Sequence, residues 1–267
     1  MGHSKYLMEH ASEAERLEAK TETSVSERLL SLVGLAQGMR ALDAGAGTGA
    51  VARVMSRLVG PSGGVVAVDQ SVERLEHGRR LAEEAGIDNL TFMSADLEAG
   101  PIHAPPFDFV WCRFVFEYLG APDRALANLV ASTRTGGKVV VGDLDGNGVF
   151  HYPCPPEVES GLAKVIHALD GRFDPYAGRK LYARFKRQGL TDVRVHAEPY
   201  HLYAGAALEP AMQNWRQKLA TIRSVAIRGF ESEVAFDRWA ASFLDLLRDP
   251  DSFTYSVLVL VEGTRTS

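Results

Sequence analysis

The stretch Asp43-Ala44-Gly45-Ala46-Gly47-Thr48-Gly49 decides how this chain folds. It follows a short apolar run over 39–43. It precedes residues 50–59, where Val51, Val54, Met55 and Leu58 recur at helical spacing. A buried strand, a glycine turn and an amphipathic helix in that order form the opening unit of an α/β sheet. Glycines at 45, 47 and 49 let the backbone approach a ligand closely and adopt positive φ. The start of the following helix offers unpaired N–H groups and a partial positive charge, which suit a carboxylate or a phosphate.

The same alternation continues downstream. Residues 65–69 read as a second buried strand ending in an acid, and 72–85 as a helix. Residues 90–93 form a third strand, followed by Asp96. Strands over 107–112 and 138–143 flank a helix over 121–132, with Pro122 near its start. The strands are continuously apolar, as strands covered on both faces should be. Right-handed crossovers then bring their carboxyl ends to one edge, where such sheets bind ligands. Upstream, the capping boxes Ser12-Glu-Ala-Glu15 and Ser24-Val-Ser-Glu27 predict two N-terminal helices within 1–37. After Asp145 the pattern changes. Residues 146–160 are rich in Gly and Pro and read as a loop. Helices are expected over 161–168, 179–188, 206–228 and 231–247, and strands over 193–203 and 254–262. The expected fold is α/β: a doubly wound, seven-stranded, mostly parallel Rossmann-like sheet. N-terminal helices precede it, and a helical cap is inserted between the last two strands. Residues 38–267 make one domain, with 146–178 and 205–250 as cap segments.

Composition narrows the partners. The 267 residues are 46% hydrophobic and 24% charged, with a formal net charge of −5. A mildly acidic chain does not hold a polyanion by bulk electrostatics, so no nucleic-acid partner is expected. Arg184, Lys186 and Arg187 read as a solvated helix face. Cys112 and Cys154 form no CxxC pair, so neither a metal site nor a disulfide framework is indicated, and a reducing compartment fits. The charged N-terminus has no apolar leader core, and no apolar run reaches a bilayer span. The expectation is a cytoplasmic protein without a membrane partner, with a homodimer as its candidate assembly.

The glycine turn alone does not separate cofactors, but three details do. Its spacing is G-x-G-x-G rather than the dinucleotide G-x-G-x-x-G. Asp43 lies two residues before the first glycine, where it favours a cationic ligand and offers a pyrophosphate nothing. Asp69 can accept two ribose hydroxyls, although by itself it fits NAD equally well. Asp96 can accept from an adenine amino group. Carboxylate, cationic centre, ribose and adenine are combined in S-adenosylmethionine (SAM).

These residues resemble the class I SAM-dependent methyltransferase superfamily. The likeness rests on the glycine loop, 65–69, Ala95-Asp96, 107–119 and 136–145. More narrowly, the start at Tyr6–Leu17 and the strand ending in Asp143-Leu144-Asp145 resemble small-molecule methyltransferases. The resemblance implies that Asp43, Gly45, Ala46, Gly47 and Gly49 hold the methionine end. Asp69, with Gln70 beside it, would hold the ribose, and Asp96 with the Leu97 backbone the adenine. Arg113 would face the methionine portion or the substrate. Tyr6 and His10 would lie on an N-terminal helix covering the cofactor.

The acceptor pocket is expected to be aromatic, drawing on Tyr118, Tyr152, Tyr176 and Trp215. His151, in an irregular loop after the fifth strand, is the candidate general base, with His10 and His201 as rivals. O-methylation of a small molecule in secondary metabolism is the leading expectation. C-methylation of a quinone, isoprenoid or polyketide ring is the alternative. A nicotinamide-dependent oxidoreductase and a non-catalytic SAM-fold binding protein are the competing classes.

Overall fold

The computed structural model describes residues 23–266. Helix α1 (Thr23–Leu32) leads into strand β1 (Arg40–Ala44), helix α2 (Ala50–Val59), strand β2 (Gly64–Asp69), helix α3 (Val72–Glu84) and strand β3 (Leu90–Ser94). Strand β4 (Phe107–Arg113) runs into a 3₁₀ turn (Phe116–Tyr118), helix α4 (Pro122–Ser132) and strand β5 (Thr133–Tyr152). Helices α5 (Pro156–Ala168) and α6 (Ala177–Arg187) precede strand β6 (Thr191–Ala204). Helices α7 (Glu209–Ala226) and α8 (Glu233–Arg248) then lead to strand β7 (Phe253–Thr264).

The seven strands form one sheet in the order β3-β2-β1-β4-β5-β7-β6. Strands β1 to β5 pair in parallel, and β7 runs antiparallel between β5 and β6. The central strands are buried on both faces, so their side chains feed two separate cores. On one face Phe109, Trp111 and Val140 pack with Leu29 and Leu30 of α1 and Met55 of α2. On the other, Phe107, Val110 and Cys112 pack with Leu126 and Leu129 of α4 and with Leu181 and Phe185 of α6. This is a doubly wound sheet. A third core joins α5, α7 and α8 through Val158, Met212, Trp215, Phe236, Trp239 and Phe243, so the cap has its own apolar interior.

The helix starts follow ordinary capping chemistry. The Ser71 hydroxyl accepts from Arg74 N at the head of α3, and Ser232 does the same for Ala235 N at the head of α8. Pro156, near the head of α5, presets the backbone where no helical N–H is needed.

One element departs from the sequence reading. Strand β5 does not end at residue 143. It continues to Tyr152, with a register shift between Asp145 and Phe150, because Phe150, His151 and Tyr152 pair with Tyr255, Thr254 and Phe253 of β7. A partner strand a hundred residues away overrides the local Gly/Pro signal. The first N-terminal helix expected, with Tyr6 and His10, lies outside the described residues. Among the described residues, no helix is long and apolar enough to cross a membrane.

The loop after α1 is tied to the sheet by charge. Lys138 Nζ donates to Val33 O at 2.8 Å and to the buried Glu262 carboxylate, which also contacts His196 Nε2 at 2.9 Å. Burial pushes the Glu262 carboxyl up, and Lys138 and His196 more than reverse this, leaving it below the ordinary 4.5. Its contribution to stability is therefore full at neutral pH and is lost as pH falls through the depressed value. Replacing Lys138 with Met strands a buried carboxylate and should cost roughly 1–3 kcal/mol in urea denaturation at pH 7. The deficit should shrink once the carboxyl is protonated in acid.

Candidate active site

The carboxyl ends of β1 to β4 open into a cavity of about 1130 Å³. Its floor is the glycine turn. Gly45 N and Ala46 N donate to Val68 O at 2.7 and 2.8 Å, and Gly47 N donates to Asp69 Oδ2 at 2.9 Å. The turn is thereby pinned to the end of β2. Gly45 has φ +74°, and a Cβ there would overlap Val115 Cγ2, so both conformation and space require glycine. Gly49, φ +72°, packs on Phe92 at the start of α2 and does not line the cavity.

Asp43, the last residue but one of β1, lies at the cavity floor and is only 3% exposed. Its Oδ2 has no hydrogen-bond partner. Burial pushes its carboxyl up to about 7; Arg113 opposes this and the charge of Asp69 adds to it. Arg113 lies over the rings of Trp111 and Phe114, 5.8 and 5.0 Å from their centroids. Asp69 is buried. Besides Gly47 N it accepts from Ser71 N at 2.9 Å, with Arg74 at 3.4 Å. Gln70 is exposed at the rim. Asp96 is also exposed and turns its Oδ1 back to Glu98 N at 2.8 Å. Leu97 is buried, with its carbonyl accepting from Asn128 Nδ2. All of these except Gly49 share the cavity wall: Asp43, Gly45, Ala46, Gly47, Asp69, Gln70, Asp96, Leu97 and Arg113.

The opposite wall comes from the cap, β6 and the 3₁₀ turn after β4. It includes Tyr118, Arg172, Tyr200, His201, Tyr203 and the face of α7 carrying Gln213, Asn214 and Gln217. Helix α1 closes one rim, where Arg28 grips Glu198 through two hydrogen bonds of 3.0 and 2.9 Å.

Several residues singled out for the acceptor lie elsewhere. His151 is not in the cavity wall. Its Nε2 faces Gly148 O at 3.2 Å and must carry the proton, so Nδ1 accepts from Thr254 Oγ1 at 2.8 Å. Its ring meets Phe243 edge-on in the cap core, and burial pushes its pKa down. The β5–β7 ladder that extends past residue 145 has drawn it away from the crevice. Tyr152 is 77% exposed at the strand end, and Tyr176 packs on Phe150 under the Arg179 guanidinium. Trp215 is buried in the cap core, its ring 5.2 Å from His201 and 5.4 Å from Phe243.

His201 takes the position expected of His151. One extra residue in β6 between Tyr200 and Tyr203 makes a bulge, with His201 at φ +47°, and turns its ring into the cavity wall. Nδ1 lies 3.5 Å from Ser256 Oγ, and Nε2 lies 3.4 Å from Lys218 Nζ. Glu117 was not singled out from the sequence. It is 4% exposed, lines the cavity and accepts from Asn147 Nδ2 at 2.9 Å. The available signal was an acid set among aromatics just past a strand end. Among the described residues no group of His, Cys, Asp and Glu could hold a metal ion.

Comparison with known proteins agrees with this geometry. Residues 41–137 match the model of the methyltransferase domain family. The chain is 34% identical over 172 residues to a ubiquinone/menaquinone biosynthesis C-methyltransferase of Pseudomonas putida, covering 63% of each chain. The enzyme of the same name from Pseudomonas paraeruginosa is 35% identical over 113 residues, covering 42% of this chain and 44% of that one. The chain thus spans about half the length of the curated relatives it matches. A SAM-dependent methyltransferase from Aquifex aeolicus shares the fold at TM-score 0.54 and 21% identity, over 70% of this chain and 90% of that one. The likeness is to methyltransferases, and the matched family domain covers residues 41–137, the part of the chain that builds the glycine floor.

The glycine floor gives a stability test. Gly45→Ala forces a Cβ into Val115 at positive φ and should lose about 1–3 kcal/mol in chemical denaturation. An unchanged midpoint would mean that the turn is not held as described.

Proposed function

We propose that this chain is a SAM-dependent methyltransferase acting on an oxygenated small-molecule ring seated between the glycine floor and the cap. The observation that carries this reading is the buried Asp43 carboxylate with one oxygen unpaired. An orphaned, half-titrated acid in a cavity fits a ligand that brings a positive charge. Asp43 and the glycine turn would hold the amino-acid end of SAM, Asp69 the ribose, and Asp96 and Leu97 the adenine. When bound, SAM supplies a methyl group on a positively charged sulfur. The chain's own residues would then align the acceptor and exclude water. Arg113 would screen Asp43 and Asp69 from each other. Tyr118, Tyr200 and His201 would hold the acceptor ring, and the Arg28–Glu198 pair would keep α1 over the rim.

The relatives named as C-methyltransferases support a ring carbon as the accepting atom, with the acceptor a quinol-type ring. A hydroxyl oxygen, as in secondary-metabolite O-methylation, is the second reading. It is supported by Glu117 and His201, two groups able to engage a hydroxyl.

Two outcomes follow. With methyl-labelled SAM and a naphthohydroquinone probe, product NMR should show a ring methyl; an O-methyl signal selects the second reading, and no transfer to any hydroxylated ring counts against both. Ligand binding should also depend on pH. Asp43 titrates near 7 in the free protein and must be ionised beside a cation. Affinity for S-adenosylhomocysteine should therefore fall roughly fivefold from pH 7 to pH 6, with proton release, and Asp43→Asn should bind weakly with no such dependence.

A further inference from the structure

Two titratable side chains of the acceptor wall, His201 and Glu117, are placed to receive a proton, and their surroundings differ. The Ser256 hydroxyl donates to Gly146 O at 3.0 Å, so it can only accept from His201, which puts the ring proton on Nδ1. The Nε2 lone pair then faces the Lys218 ammonium at 3.4 Å. Both His201 nitrogens are thus engaged, and its ring meets Tyr200 edge-on with centroids 4.5 Å apart.

Glu117 differs. It stands in the 3₁₀ turn directly after β4, at the junction of the cofactor floor and the cap. Its backbone is fixed at both ends: its N donates to Asp143 Oδ2 at 3.0 Å, and its carbonyl accepts from Asp174 N at 2.7 Å. Its Oε2 accepts from Asn147 Nδ2, and Asn147 Oδ1 faces Lys218 Nζ at 3.4 Å. Lys218 thereby places a positive charge behind the carboxylate. The second carboxyl, Asp143, is fully buried and does not line the cavity. Burial and the charge of Glu117 push Asp143 well up, against the N–H groups of Leu144, Glu117 and Phe116. Like charges this close do not both ionise readily. Of the two carboxyls, Glu117 is the one that lines the cavity and can meet a ligand there. The other charged groups on elements packed around it are Arg113 of β4, Arg172 and Asp174 beyond α5, and Lys218 of α7.

We propose that Glu117 is the general base of the methyl transfer, taking the proton of an acceptor hydroxyl, and that Asp143 is the positioning residue that aims it. This rests on the methyltransferase reading above. Glu117 receives the hydroxyl proton while the acceptor's electron pair bonds to the methyl carbon and the carbon–sulfur pair stays on sulfur as a neutral thioether. For a ring-carbon acceptor, the same deprotonation pushes electron density to the carbon beside the oxygen. The ring proton then lost there restores the hydroxyl. In both cases one proton leaves to water through Glu117. The acceptor class is thus a ring bearing a free hydroxyl next to the methylated atom, or at it.

The test uses Glu117→Gln, which keeps the side-chain shape and the Asn147 contact. Affinity for S-adenosylhomocysteine should stay within about threefold of the parent. Turnover of a naphthohydroquinone should fall by about 10²–10⁴ in kcat/KM and lose its acid limb in the pH profile. In the ligand-free protein, the infrared band of the protonated Asp143 carboxyl, assigned by its loss in Asp143→Asn, should titrate about one pH unit or more lower in Glu117→Gln. Should Asp143→Asn fail to fold, the shift between the parent and Glu117→Gln still decides. Should the hydroquinone not turn over, the infrared comparison decides alone. Retention of more than about a tenth of kcat/KM, or an unmoved carboxyl band, overturns the proposal. Failure of the parent protein to bind S-adenosylhomocysteine overturns the methyltransferase reading instead.

Discussion

The structure depends on a carboxylate buried with one oxygen unsatisfied. Asp43 sits near the end of the central strand β1, flanked in the sheet by β2 and β4, where water cannot solvate it. An isolated ionised carboxyl there costs several kcal/mol, and the chain meets that cost by leaving the group half-titrated, at about 7. The surrounding geometry keeps the site from collapsing onto it. Gly45 and Ala46 are hydrogen-bonded to Val68 O, Gly47 to Asp69, and Val115 fills the space a Cβ at 45 would need. The unsatisfied charge therefore points into the cavity, where a cationic ligand can neutralise it. A cation bound there would couple its binding to the ionisation of Asp43.

The cavity has two halves built by different physics. Parallel β1 to β4 supply the floor through strand ends and turns, a geometry set by local sequence pattern and right-handed crossovers. The acceptor half comes from the cap and from β6, which reaches the sheet only through antiparallel β7. There the positions are set by long-range pairing. The bulge at His201 and the Ser256 hydroxyl beneath it belong to different strands, and Lys218 reaches His201 from a cap helix. Glu117 lies at the seam, tied to β5 by Asp143 and Asn147.

That division explains what could be read from the chain. The floor was legible because Asp43, the glycines, Asp69 and Asp96 sit at fixed offsets from strands whose apolar runs announce themselves. The inserted cap helices were legible from their apolar spacing. His151 was placed at the crevice because residues 146–160 look like a loop; nothing local reveals that Tyr255 and Thr254 will pair with Phe150 and His151. Likewise Trp215 and Tyr176 carry the aromatic character of a pocket but face the cap core and Phe150. Glu117 was hidden because its role depends on Asp143 and Asn147, which are near it only in the fold.

A buried carboxylate in the floor fits a nucleoside amino acid that brings a positive charge and does not fit a pyrophosphate. Calorimetric titration of the full chain at pH 7.5, with S-adenosylhomocysteine in one experiment and NAD in the other, tests it most directly. One molecule of S-adenosylhomocysteine should bind per chain, with no heat of binding from NAD. Saturable NAD binding with no response to S-adenosylhomocysteine would contradict it.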